Sequence, residues 1–155
     1  SKVSFLSSLY QSYANRILKN RFSRKKYFEN PLVTQSGSGV LRDENFFDYK
    51  KFSPKELIDI NGTCVYIKAG NTLRIGDIEE TSEEDFFIIL KKLKRLAMML
   101  GCPKIYFYYS PGVKYDSFLS HKYRALQGLP IGWVDLGSGL DLASLKFAQA
   151  DHDIF

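Results

Sequence analysis

Apolar residues recur at helical spacing most clearly between positions 82 and 100. Phe86, Leu90, Leu93, Ala97 and Leu100 form one stripe, widened by Phe87, Ile89 and Leu96. Lys91, Lys92, Lys94 and Arg95 fall on the opposite, wet face. Ser82 or Thr81 can cap the start, with an acid three residues on in either register, and Gly101 then Pro103 end the run. Acids in the first turn and cations later also suit the helix dipole. One long helix is predicted over 82–100. Before it, residues 63–68 alternate, with Cys64, Tyr66 and Lys68 on one face and Val65 and Ile67 on the other. Ala69-Gly70-Asn71 is a turn, and 72–78 is the antiparallel partner, with Leu73 and Ile75 inward. After it, the apolar-aromatic run 104–109 predicts a strand deep in the sheet. A helix over 114–126, a strand over 131–136, a short helical or loop passage over 140–145 and a last strand over 146–150 complete the chain.

The first sixty residues pattern less sharply. Phe5, Leu9, Tyr13 and Ile17, widened by Leu6, Tyr10, Leu18 and Phe22, predict a helix over 3–28 that stops before Pro31. The small-residue stretch 34–39 reads as a linker or mobile loop, and 40–49 as a short strand or irregular aromatic packing. There, Arg42, Asp43 and Glu44 beside Phe46, Phe47 and Tyr49 could form a binding ledge, with core packing of the rings the simpler reading. Ser53-Pro54-Lys55-Glu56 has the form of a capping box and predicts a short helix ending at Asn61-Gly62. The element order fits an α/β fold with a mixed, largely antiparallel central sheet flanked by helices.

Charge adds an organisation that hydropathy does not show. The net charge is +5 over 155 residues. Residues 1–26 hold Lys2, Arg16, Lys19, Arg21, Arg24, Lys25 and Lys26 and no acid, so the positive charge belongs to the N-terminal arm. The chain divides into a basic amphipathic helical arm, 1–30, and an α/β domain, 31–155. Arg21, Arg24, Lys25 and Lys26 are candidates for nonspecific nucleic-acid contact, and the same helix could pack on an N-terminal domain of a longer protein. Cys64 and Cys102 make neither a disulfide framework nor a metal cluster, and both read as reduced core residues. Asp151-His152-Asp153 lacks a second histidine at ligand spacing and reads as a polar tail, and His121 lies among surface residues of a helix, so no metal site is expected. No apolar run approaches the ~20 residues of a membrane span, and no signal peptide is evident, which makes a cytoplasmic location the expectation.

From residue 63 onward the order is strand, strand, long helix, strand, helix, strand, strand. This order, with the phrase Leu129-Pro130-Ile131-Gly132-Trp133-Val134-Asp135-Leu136-Gly137, resembles the C-terminal half of the GNAT-type N-acetyltransferase fold, an acyl-CoA N-acyltransferase-like architecture. The resemblance implies an acetyl-CoA site at the start of the long helix, where backbone N–H groups take the pyrophosphate. It places the cofactor along Ile75, Gly76 and Ile78 and at the turn of Thr81 and Ser82. It makes Tyr123, ahead of Gly128 and Leu129, the acid that protonates the leaving thiolate. The matching turn departs from the family's glycine-containing motif: Asp77, Glu79, Glu80, Glu83, Glu84 and Asp85 crowd it, and no glycine stands between them. Carboxylates repel phosphate. The sequence therefore reads as an acetyltransferase-like domain whose acetyl-CoA site is lost or altered, with a binding or structural role. An active N-acetyltransferase and a nonspecific nucleic-acid binder are the alternatives.

Overall fold

The computed structural model describes residues 2–36, 39–50, 56–128, 137, 139 and 144–151. The predicted strand over 131–136, most of the passage over 140–145, Ser53, Pro54 and His152 lie outside them.

Among the described residues, three helices precede the sheet: α1 (Lys2–Leu18), α2 (Pro31–Ser36) and α3 (Glu44–Tyr49). The sheet follows as β1 (Glu56–Ile60), β2 (Thr63–Ala69) and β3 (Leu73–Ile78). Then come α4 (Glu83–Met99), β4 (Ile105–Phe107), α5 (Lys114–Leu119) and a 3-10 turn (Gln149–Asp151). Strand order is β1-β2-β3-β4; the first three are antiparallel and β4 joins β3 in parallel. The fold is thus a mixed, largely antiparallel α/β arrangement with helices flanking a four-stranded sheet.

The long helix forms where the pattern puts it. Ser82 is its N-cap, accepting the Asp85 N–H at 3.1 Å, and Phe86, Ile89, Leu90, Leu93, Leu96 and Ala97 are buried. These side chains cover one face of the sheet, against Val65, Ile67, Leu73, Ile75 and Ile78. The other face carries a smaller cluster of Phe28, Cys64, Tyr66 and Ala150, flanked by Phe47 and Leu57. Phe28 and Phe47 both stack on Tyr66, at 4.6 and 5.2 Å between ring centroids. Both cysteines are buried and free.

Several expectations are corrected. The first helix ends at Leu18, not near residue 28, because the chain turns and lies along β1: the Asp59 N–H donates to Arg21 O at 2.7 Å and the Ser23 N–H to Leu57 O at 2.8 Å. The segment after α1 thereby satisfies backbone groups on the otherwise open edge of β1. Its buried stripe is rotated by one position: Ala14 and Leu18 are buried and Tyr10 and Ile17 pack beside them, whereas Leu9 and Tyr13 are half-exposed. Residues 34–36, read as part of a linker, belong to the helix Pro31–Ser36, and 44–49, read as a short strand or irregular packing, form a helix capped by Asp43. Residues 56–60 are a strand, not a helix. Asn61 and Gly62, with φ of 58° and 83°, make the two-residue turn of a hairpin between β1 and β2. The helix from Lys114 ends at Leu119, not at residue 126.

One irregularity sets up the interior. Tyr66 pairs with Asp77 but Ile67 pairs with Ile75, so Gly76 is an extra residue in β3. Such a bulge shifts the side-chain alternation by one. Ile78 returns to the face of Leu73 and Ile75, and Asp77 moves to the face of Tyr66. Were β3 regular through Gly76, with no bulge, Asp77 would share the face of Leu73 and Ile75 and a carboxylate would lie in the apolar layer under α4.

Candidate functional site: the divergence of β3 and β4

The parallel pairing of β3 and β4 covers only Leu73 to Ile75 against Ile105 to Phe107. Beyond it the strands separate, and the gap is filled by the chain's own residues 147–151. Tyr109 pairs with Ala148 in antiparallel fashion; the Ser110 N–H donates to Phe147 O at 2.8 Å and the Gln149 N–H to Tyr108 O at 3.0 Å. On the other side, the 3-10 turn packs against β3. Ala148 belongs to the core under α4 and Ala150 to the cluster on the opposite face. The segment therefore lies in the plane of the sheet, as a wedge between the two strands.

A buried ion cluster fastens the wedge. Arg42 donates through Nη1 to Asp77 Oδ2 at 2.6 Å and through Nε to Asp151 Oδ1 at 2.7 Å, and all three side chains are fully out of water. Asp77 also accepts the Ile78 N–H at 2.8 Å, and Asp151 accepts the Ala148 N–H at 2.8 Å. The Tyr115 hydroxyl donates to Ile78 O at 2.7 Å and lies 3.3 Å from Asp77 Oδ1. Burial works against the charge on Arg42, but the two carboxylates outweigh it and hold the guanidinium protonated beyond its ordinary range. Burial pushes the Asp77 carboxyl up, with Arg42 pulling the other way, so the charge on Asp77 depends on Arg42 staying in place. Burial, then the nearby Asp77, pushes the Tyr115 hydroxyl well up. The buried Lys50 ammonium donates to Ala150 O at 3.2 Å, a further tie to the same segment.

The structure places the sequence-predicted residues as follows. Ile75, Gly76 and Ile78 are buried in β3 beside the wedge. Ser82 spends its hydroxyl on the cap and on Asp85 Oδ2 at 2.8 Å, and Thr81 O accepts from Lys114 at 3.0 Å. A depression of about 230 Å3 next to this turn is lined by Glu29, Pro31, Glu79 and Glu80. Three carboxylates in such a space oppose a pyrophosphate. Tyr123 is brought to none of these residues: it is partly exposed, and its hydroxyl accepts from Lys94 at 2.6 Å. Lys94 lies about 18 Å along the helix axis from Ser82 at 1.5 Å per residue. Tyr108, Tyr109 and Tyr115 lie at the divergence, and Tyr123 does not. Of the basic residues, Lys25 pairs with Glu79 at 2.5 Å and Lys26 with Glu44 at 3.6 Å, while Arg21 faces a separate groove. Asp151, read as part of a polar tail, is a buried anchor instead.

No group of three or more potential metal ligands occurs among the described residues. Among them, too, no helix is long and apolar enough to cross a membrane. No family model, no curated protein and no solved structure matches the chain.

Proposed function

We propose that this chain is an acetyltransferase-like α/β domain that has lost its acetyl-CoA site and works by binding, not by acyl transfer. The observation that carries the reading is the wedge: residues 147–151 occupy the gap between β3 and β4 and hydrogen-bond to Tyr108 and Ser110. An extended cofactor arm laid along Ile75 to Ile78 would have to displace a segment held by the buried Arg42–Asp151 ion pair and by Lys50. The α4 N-terminus supports the same reading. Its first turn carries Glu83, Glu84 and Asp85, and Ser82 already satisfies an N–H that a phosphate would need. The residues present do not fit the cofactor, so no acyl-transfer step is assigned to them.

Calorimetric titration of the full chain with acetyl-CoA tests this. No binding in the micromolar range, a free energy near −8 kcal/mol, is expected. Micromolar binding that disappears when the Thr81–Ser82 turn is blocked would overturn the proposal and favour the active enzyme.

A further inference from the structure

The strongest unassigned feature is a groove of about 320 Å3 on the far half of α4 from the wedge. Three segments meet there: the turn after α1 supplies Arg21, the β1–β2 hairpin supplies Asp59 and Asn61, and α4 supplies Lys92 and Arg95. Lys92 and Arg95 are one turn apart on the same exposed face. Neither makes an ion pair among the described residues. Lys92 donates to the neutral Asn61 side chain. Arg21 caps the end of α1 through Nη1 to Ile17 O at 2.6 Å, which leaves its other N–H donors for a ligand. The lone acid, Asp59, accepts the Gly62 N–H at 2.9 Å in the hairpin turn. Three cations thus face one already engaged carboxylate.

The rest of the groove lining is apolar. Ile60 and Leu96 form a buried floor, and Met99 is half-exposed above them. Tyr13 adjoins the lining through Met99: it is 51% exposed, and its hydroxyl donates to Met99 O at 2.9 Å, which holds the ring in place. A fixed exposed ring next to cations is the combination that single-stranded nucleic acid uses: phosphates on Arg and Lys, a base on the aromatic face.

We propose that this groove binds single-stranded nucleic acid, with backbone phosphates on Arg21, Lys92 and Arg95 and a base stacked on Tyr13. Of the basic run in the sequence, Arg21 lines this groove, whereas Lys25 pairs with Glu79 and Lys26 with Glu44. The site is assembled by tertiary contact between α1, the hairpin and α4. It is independent of whether the β3–β4 divergence takes acetyl-CoA.

The test is fluorescence anisotropy of the full chain with a labelled single-stranded oligothymidylate, over a range of salt concentrations. Binding is expected, with log Kobs falling against log salt at a slope of roughly −2, the value for three phosphate contacts on a single strand. The exposed double substitution K92E/R95E should lower the affinity at least about tenfold, Y13A about tenfold, and K25E/K26E less than about twofold. Urea midpoints of the variants check that each remains folded. The proposal is overturned by absence of binding, by equal loss in K92E/R95E and K25E/K26E, or by a polyglutamate peptide displacing the oligonucleotide at equal charge. That last outcome would assign the groove to an acidic protein partner.

Discussion

Arg42 shows how much of this molecule depends on single side chains. Its guanidinium fork bonds two carboxylates at once, Asp77 through Nη1 and Asp151 through Nε, with no solvent access. Lysine has no such fork. Removing one member of a buried ion cluster strands the others, typically at a cost of about 3–5 kcal/mol. Arg42→Met should therefore destabilise the fold by about that amount, read as a fall in the urea midpoint. Glu79 provides a pH-dependent counterpart. Burial alone would raise its carboxyl, but the hydrogen bonds from Lys25 and the Cys64 N–H outweigh burial and hold it below its ordinary value of 4.5. A depressed acid stabilises the fold above the unfolded-state value and loses that contribution as pH falls through the folded-state value. The stability difference between wild type and Glu79→Gln should then be largest near neutrality and shrink below about pH 4.5, which urea titrations at stepped pH would reveal. In the sequence Arg42 reads as part of a possible binding ledge and Asp151 as part of a polar tail, and nothing there joins the two. The partners of Arg42 lie 35 and 109 residues away, and no local spacing marks a pairing of that range.

Among the elements, α4 was legible and β1 was not, for the same reason. Residues 83–99 offer nearly five turns of consistent periodicity with a cap at one end and glycine at the other, so local signals agree. Residues 56–60 offer only five positions, and a capping-box pattern just before them points to a helix. The decisive local signal was Asn61-Gly62, the dipeptide that both tolerates and favours positive φ in a hairpin turn. It outweighed the capping box because antiparallel pairing with β2 buries Ile58 and Ile60 completely or nearly so. Gly62 has φ of 83° and open space where a side chain would go, so a substitution there meets backbone strain without a clash. Gly62→Val should cost roughly 1–2 kcal/mol, visible in thermal unfolding, while leaving the folded circular dichroism spectrum unchanged.

The whole molecule is closed by its C-terminal described segment. Residues 147–151 complete the sheet between β3 and β4, carry Ala148 into one core and Ala150 into the other, and bring Asp151 to Arg42. Truncation after Lys146 should expose both strand edges and strand Arg42 with one carboxylate. The expected outcome is a loss of at least the ~3–5 kcal/mol of a broken buried pair, with binding of a hydrophobic dye as a second readout. Retention of the wild-type midpoint would show that the wedge does not hold the fold together. The periodic stripe of α4, the alternation of β2 and β3 and the acidic turn before Glu83 were readable in the chain itself, because each rests on neighbours within a few residues. The rotated stripe of α1, the bulge at Gly76, the wedge and the assembly of Arg21, Lys92 and Arg95 into one groove came only with folding. Each depends on which distant backbone or charge arrives alongside, and short-range pattern holds no record of that encounter.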